Sequence, residues 1–286
     1  MRIKLLVILL LPLTLWAQEP VSVKGRVLNS RGEAVEYVQI GIPKLGVGTI
    51  SRSDGTFEME IPADTLEFHH VSYQTTLYPV AGTEQDLVIT MPDAELSPAV
   101  FIGGDTREKY LLRPGTNLLG KHGSLSFSLH NGDIKGVEVG SVAKTKKSFL
   151  VQDILFNIRQ NYIPGLVVSV NIYRIEGKKE QFINLLHKPL YVKIPESDES
   201  QQYHISPEET ILLESGKYFI SFQIVDYDDI ALEEFLSLPE AERDNRRMKC
   251  YTSLYFKSSY LRHAALGQMD HISMNIGMTV KGLEYQ

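Results

Sequence analysis

The sequence predicts an all-β protein of two sandwiches in tandem: a small seven-stranded one, then a larger antiparallel one of jelly-roll type carrying a short helical insertion. Three observations lead there. Apolar and polar residues alternate with period two through most of the chain. Turns rich in Gly, Asn and Pro interrupt that alternation at short intervals. Only one stretch, around 230–248, has the composition of a helix.

The first twenty residues stand apart. Arg2 and Lys4 precede an apolar run from Leu5 to Leu15, broken by Pro12, and Leu15-Trp16-Ala17 then meets the polar Gln18-Glu19-Pro20. A basic start, a short apolar core and a small residue before a polar boundary form the pattern of a secretory signal peptide over residues 1–17. The run is shorter than the roughly 20 residues a membrane span needs. The expectation is an exported mature chain without a transmembrane segment, in the periplasm or at the outer-membrane periphery.

Strands follow in order. Val21, Val23 and Val27 alternate with Ser22, Lys24 and Arg26, and Asn29-Ser30-Arg31-Gly32 turns the chain. Val38, Ile40 and Ile42 make a second strand stopped by Pro43; Gly46-Val47-Gly48 turns again before Thr49-Ile50-Ser51. Asp54-Gly55 is a hairpin dipeptide, followed by Phe57, Met59 and Ile61 on one face. Leu66–Val71, Thr75–Val80 and Leu87, Ile89, Met91 complete an antiparallel module that ends at Pro92.

Lys24-Gly25-Arg26-Val27, Gly32, Ala34-Val35, Val38-Gln39-Ile40, Gly48-Thr49, Asp54-Gly55 and Phe57, with the aromatic Phe68–Tyr73 stretch, resemble the carboxypeptidase-regulatory-like domain. That is a transthyretin-like (prealbumin-like) sandwich of exported proteins in Bacteroidetes-type bacteria. The match covers about a quarter of the chain. It departs from the pattern where a Pro is missing near Glu33-Ala34, where Arg52 replaces a usual Asp and where Ser72 replaces a usual Gly. The resemblance implies a seven-stranded fold over residues 20–92 and an envelope setting, and no enzyme activity for this module.

Residues 93–121 read as a linker punctuated by Pro98, Gly103-Gly104, Pro114-Gly115 and Gly120; it adds either one strand or a short helix around Thr106–Leu111. From 122 to 286 the alternation returns. Leu125, Phe127 and Leu129 precede an Asn131-Gly132 hairpin turn, and Leu150, Ile154, Phe156 and Ile158 are placed on one strand face. Val168, Val170 and Ile172; Leu190, Val192 and Ile194; Tyr218, Ile220, Phe222 and Ile224; Cys250, Thr252, Leu254 and Phe256; and Ile272 to Val280 supply further strands. Eight or so strands predict the larger sandwich. Ile230–Leu236 and Glu240–Met248 are helical, with Ser237 as cap and Pro239 in the first turn. Asn171-Ile172-Tyr173, Asn184-Leu185-Leu186, Tyr191-Val192 and Tyr218–Phe222 resemble the second half of exported Bacteroidetes proteins that pair a regulatory-like module with a sandwich.

Charge and chemistry exclude more than they assign. The formal net charge is −6, and loss of Arg2 and Lys4 with the leader makes it −8, the wrong sign for nucleic acid. Cys250 is the single cysteine: no internal disulfide is possible, no cysteine follows the leader to carry a lipid, and a buried thiol is expected. His69-His70 on a strand would point to opposite faces and not chelate one ion. Asp226-Tyr227-Asp228-Asp229 lacks the Gly and terminal Glu of a calcium loop and reads as a polar strand end. Gly46-Val47-Gly48 precedes no helix that would cradle a phosphate, and Lys144-Thr145-Lys146-Lys147 reads as a solvated hairpin tip. No catalytic, cofactor-binding or metal site is assigned, and the binding residues are not identified.

The expectation is a non-catalytic scaffold or binding module for envelope protein partners. The alternative is glycan binding through exposed tyrosines among Tyr73, Tyr78, Tyr251, Tyr255 and Tyr260. A hydrolase using carboxylates assembled by the fold is the third reading. The chain is too short to carry a 22-stranded receptor barrel behind its module.

Overall fold

The computed structural model describes residues 20–95, 103–114 and 123–285. The leader and two stretches of the punctuated connection, 96–102 and 115–121, lie outside the described residues. The protein is all-β; among the described residues four sheets form two sandwiches, with two short α-helices.

The first sandwich contains β1 (Val21–Asn29), β2 (Gln39–Ile42), β3 (Val47–Ile50), β4 (Thr56–Ile61), β5 (Thr65–His69), β6 (Thr76–Pro79) and β7 (Glu84–Met91). A three-stranded sheet β4-β1-β7 faces a four-stranded sheet β3-β2-β5-β6. Their inner faces close on Val23, Val27, Ile40, Phe57, Phe68 and Ile89, all buried. Two features differ from the sequence expectation. The module is not wholly antiparallel, because β7 returns beside β1 in parallel register. Asp54-Gly55 does not close a hairpin: β3 and β4 belong to different sheets, and the turn carries the chain from one layer to the other. The dipeptide's turn propensity is used, but a local turn does not dictate which strands pair.

The second sandwich opens with β8 (Thr106–Leu112), the strand alternative for that region, which pairs with the last strand and so belongs to this body. There follow β9 (Ser124–Ser128), β10 (Glu138–Thr145), β11 (Phe149–Asn161), β12 (Val167–Glu176), β13 (Gln181–Asn184), β14 (Leu190–Lys193), β15 (Gln201–Ile205), β16 (Ile211–Leu213) and β17 (Gly216–Asp226). After α1 (Asp229–Ser237) and α2 (Glu240–Arg243) come β18 (Lys249–Tyr255), β19 (Ser259–Arg262), β20 (Asp270–Ile272), β21 (Asn275–Ile276) and β22 (Met278–Tyr285). They form a seven-stranded sheet, β13-β12-β17-β10-β19-β20 with β14 beside β12, and an eight-stranded sheet. The latter runs β21-β18-β11-β22-β8, with β15 and β16 also on β11 and β9 on β18.

The core between these sheets is aromatic and branched, with Phe127, Phe149, Phe156, Ile172, Tyr218 and Phe222 among its buried members. Long strands stay in register with it through bulges. On β11 the inward residues are Phe149 and Val151, then Ile154, Phe156 and Ile158. The register against β22 shifts between Val151 and Asp153, so one extra residue flips the alternation. Leu150, placed by simple periodicity on the inner face, is therefore turned off it.

Other local expectations are corrected in the same way. The Asn131-Gly132 turn joins β9 to β10 across two sheets after a 3-10 turn at Leu129–Asn131, so it is not a hairpin. The Lys144–Lys147 segment likewise crosses from β10 to β11. Ser237 is not a helix cap; its hydroxyl donates to Glu234 O, and Asp228 caps α1 by accepting from the Ile230 and Ala231 amides. Cys250 lies buried in β18, its thiol pushed up to about 12 by burial.

Candidate functional site

Two places gather polar chemistry: the seam between the sandwiches and a groove on the eight-stranded sheet. The seam follows from β12 and β17. Val168, Val170, Ile172, Ile220, Phe222 and Ile224 fill the core. Their neighbours Ser169, Asn171, Ser221 and Gln223 point the other way yet are also buried. Ser169, Asn171 and Gln223 face Tyr37, Gln39, His69 and His70 of the first sandwich, and Ser221 lies against Glu138.

Glu138 organises that outer face. Its side chain is fully buried; Oε1 accepts from Ser221 Oγ at 2.6 Å and Asn171 Nδ2 at 3.0 Å, and Oε2 accepts from Tyr173 OH at 3.2 Å. Arg262 Nη1 stands 3.4 Å from Oε2 and donates to Gln39 Oε1 of β2 at 3.3 Å. A buried carboxylate survives without water only when its lone pairs are occupied in this way. Arg262 Nε is buried with no hydrogen-bond partner among the described residues.

Apolar contact flanks the network. Tyr37 and Ile50 of the first sandwich meet Val167, Val225 and Ala265 of the second, with Tyr191 edge-on to Tyr37 at 4.8 Å. Gly48 permits the approach: a Cβ there would lie 2.0 Å from Ala265 O. Ion pairs close the rim, with Arg52 Nε on Asp229 Oδ2 at 2.6 Å and Lys135 Nζ held by Asp229 at 2.8 Å and Asp226 at 3.1 Å. Ser72 Oγ donates to His187 O at 2.8 Å. The Asp226–Asp229 segment is thus a strand end and helix cap whose carboxylates Asp226 and Asp229 are matched to cations. Among the described residues no cluster of three or more His, Cys, Asp or Glu could hold a metal ion.

His69 and His70 also lie at this seam, beside a cavity of about 20 Å³, about the size of one water molecule. His70 Nδ1 accepts from the Ser72 amide, so the ring proton sits on Nε2 and faces Tyr191 OH at 3.2 Å. Burial lowers the His70 pKa to about 4, and burial with the nearby Arg262 charge lowers that of His69. His69 is half-buried rather than exposed, its Nδ1 3.2 Å from Thr75 Oγ1.

The sequence-named tyrosines separate. Tyr260 is buried in an aromatic cluster with Tyr173, Phe182 and Phe219, and Tyr73 and Tyr78 pack on the first core. Tyr255 covers Gly277. Tyr251 alone joins a groove, of about 670 Å³, where it meets Tyr162 at 85° with ring centroids 6.4 Å apart. Tyr162 OH donates to Asp198 Oδ1 at 2.6 Å and accepts from Arg247 Nη1 at 3.0 Å. Gln160 Nε2 donates to Asp198 O at 3.2 Å, and Arg159 Nη1 to Gly123 O at 3.1 Å.

A second, larger depression near β8 and β22, of about 940 Å³, contains Tyr110, Arg113, Asp153, Ser206 and Lys281. Hydrogen bonds from Ser206, Lys281 and His204 outweigh burial and hold the Asp153 carboxyl down at about 2. Ser206 donates to Asp153 Oδ1, the same oxygen that His204 Nε2 meets. A hydroxyl bonded to so weak a base is not activated as a nucleophile.

The seam is invisible to sequence periodicity, which marks the apolar face of these strands and assigns nothing to Ser169, Asn171, Ser221 and Gln223. One signal was present: 167–173 and 218–225 carry no charge on either face, the mark of a strand covered on both sides.

No protein family's sequence pattern matches the chain, and no curated protein sequence is significantly similar to it. Among solved structures, a DUF3823 family protein from Bacteroides ovatus ATCC 8483 is 12% identical over 71% of this chain and 97% of its own, with a TM-score of 0.21. A DUF3823 family protein from Parabacteroides merdae ATCC 43184 is 9% identical over 90% and 98%, with a TM-score of 0.21. Carbohydrate-binding modules from the β-sandwich superfamily are 8% identical over 89% and 98%, with a TM-score of 0.20. At these scores no role transfers to this chain.

Proposed function

We propose that this chain is a non-catalytic, exported protein of the bacterial envelope that works by binding. In this reading residues 1–17 are removed as a signal peptide, and residues 20–92 are a carboxypeptidase-regulatory-like module. Residues 93–121 lead from it to a binding sandwich over 122–286 and lend that sandwich the strand β8, and the mature chain acts in the periplasm or at the outer-membrane periphery. Among the described residues no helix is long and apolar enough to cross a membrane.

The observation that carries the proposal is the seam. The module spends one sheet face on its neighbour, through Gln39, Tyr37, Gly48 and Ile50, so it serves as a brace for the larger sandwich rather than a free adaptor. A braced body with a preorganised surface suits binding, because little order is lost when the ligand arrives.

An envelope protein and a glycan are the two ligand classes. The Tyr162–Tyr251 groove favours the glycan. The large exposed apolar side chains, Leu77, Val88, Ile230 and Phe256 among them, belong to separate elements and do not line it. Crosslinking of the full chain in intact cells, followed by affinity purification, tests the binding role. A reproducible envelope protein or glycan recovered with it is expected; recovery of neither would overturn the proposal.

A further inference from the structure

We infer that the notch between Tyr162 and Tyr251 is a saccharide-binding subsite, with Tyr251 as the ring platform and Arg159, Gln160, Asp198 and Arg247 as the polar wall. The inference rests on the binding role proposed above and names the ligand class of one surface.

Geometry comes first. Two phenol rings at 85° form an inside corner, and a corner accepts a puckered ring differently from a flat stack. One wall takes a C–H face and the other meets the ring edge. A pyranose has that division, with weakly polar axial C–H groups on its faces and hydroxyls around its rim. Aromatic side chains supply large contact area at little entropic cost, which is why rings serve as such platforms.

The polar groups fit the rim. Arg, Gln and Asp side chains are planar and offer paired donors or acceptors, the spacing that neighbouring hydroxyls present. These groups are also held before any ligand arrives. The Arg247–Tyr162–Asp198 chain of hydrogen bonds at 3.0 and 2.6 Å fixes two of them, and Gln160 is tied to the same loop. Arg159 and Gln160 come from β11 and Tyr251 from β18, paired strands whose register slips between Ile158 and Gln160. That bulge re-aims the end of β11 at the groove. Sites placed on paired strands are more sharply positioned than sites on loops.

Other ligand classes fit less well. The acidic chain as a whole opposes nucleic acid. None of the large exposed apolar side chains lies in the groove, whose lining is polar apart from its two tyrosine rings. Its volume of about 670 Å³ is that of a small-ligand site, which spans about 300–1,000 Å³.

The test is an array of neutral and uronate-bearing oligosaccharides probed with the full mature chain, followed by calorimetric titration of the best binder. At least one oligosaccharide is expected to bind, with Tyr251→Ala and Arg247→Ala each weakening it tenfold or more. Tyr251→Phe, which keeps the platform, is expected to stay within about threefold and shows that the sheet tolerates change there. A preference for uronates would assign the arginines to a carboxylate, and a preference for neutral sugars would assign them to hydroxyls; both support the subsite. No binding across the array, or binding unmoved by Tyr251→Ala and Arg247→Ala, overturns it. A reproducible envelope protein captured in cells alongside a silent array would sink this inference and leave the binding role standing.

Discussion

Arg52 Nε donates to Asp229 Oδ2 at 2.6 Å, joining the turn after β3 in the first sandwich to the first residue of α1 in the second. Ser72 adds a second link, its hydroxyl bonding His187 O across the same seam.

The arginine is 45% exposed, so water screens the pair. Arg52→Ala is expected to cost only about 0.5–1 kcal/mol in urea unfolding. Lys135→Ala should cost more, about 2–3 kcal/mol, because Lys135 is 6% exposed and its loss leaves Asp226 and Asp229 facing each other with less compensation.

Glu138 is the interior counterpart. Glu138→Ala removes the acceptor for Ser221, Asn171 and Tyr173 and strands Arg262, at an expected cost of about 3–5 kcal/mol. Glu138→Gln keeps the shape and one acceptor oxygen and should lie between that variant and wild type on the same urea titration.

Close approach makes Gly48 specific. Gly48→Ala would drive a Cβ into backbone, 2.0 Å from Ala265 O, and should separate the sandwiches or prevent folding. Gly46→Ala, two residues earlier, meets nothing within 4 Å but sits at φ 65°. It should cost only about 1 kcal/mol of backbone strain. Thermal melts of the two variants give the comparison.

Acid should act through His70. The unfolded chain protonates this ring near 6.5 and the fold only near 4, so between those values the unfolded state binds more protons. Stability is then full above about pH 6.5 and is lost as pH falls toward 4, by up to about 3 kcal/mol. His69 shifts in the same direction. Asp153, held down at about 2, contributes stability that is present above its ordinary 3.8 and lost as pH falls from there through 2, a separate, more acidic window. His70→Phe should flatten the slope of urea midpoint against pH between 6.5 and 4 and leave the more acidic limb in place.

Strands with alternating apolar residues were legible in the sequence, but β10, β13, β15, β16 and β19 were not read, because they are short, polar or, in β10, covered on both faces. Val23, Val27, Phe57 and Phe68 read correctly as core. Pairing was less legible. A turn such as Asp54-Gly55 specifies a reversal but not the sheet that receives the next strand, and the parallel return of β7 to β1 leaves no local mark. The bulges in β11 defeat alternation by one residue, which turns Leu150 off the face assigned to it. The candidate site was legible in one residue, Tyr251. Its companions Arg159, Gln160, Asp198 and Arg247 come from separate stretches that only strand pairing assembles, and Tyr162 follows a strand whose register slips.

Differential scanning calorimetry of the mature chain and its Glu138→Ala variant tests most directly whether the sandwiches form one body. One cooperative transition for both sandwiches, moved as a whole to lower temperature in the variant, is the expected result. Two separable transitions, one of them unmoved by Glu138→Ala, would contradict it.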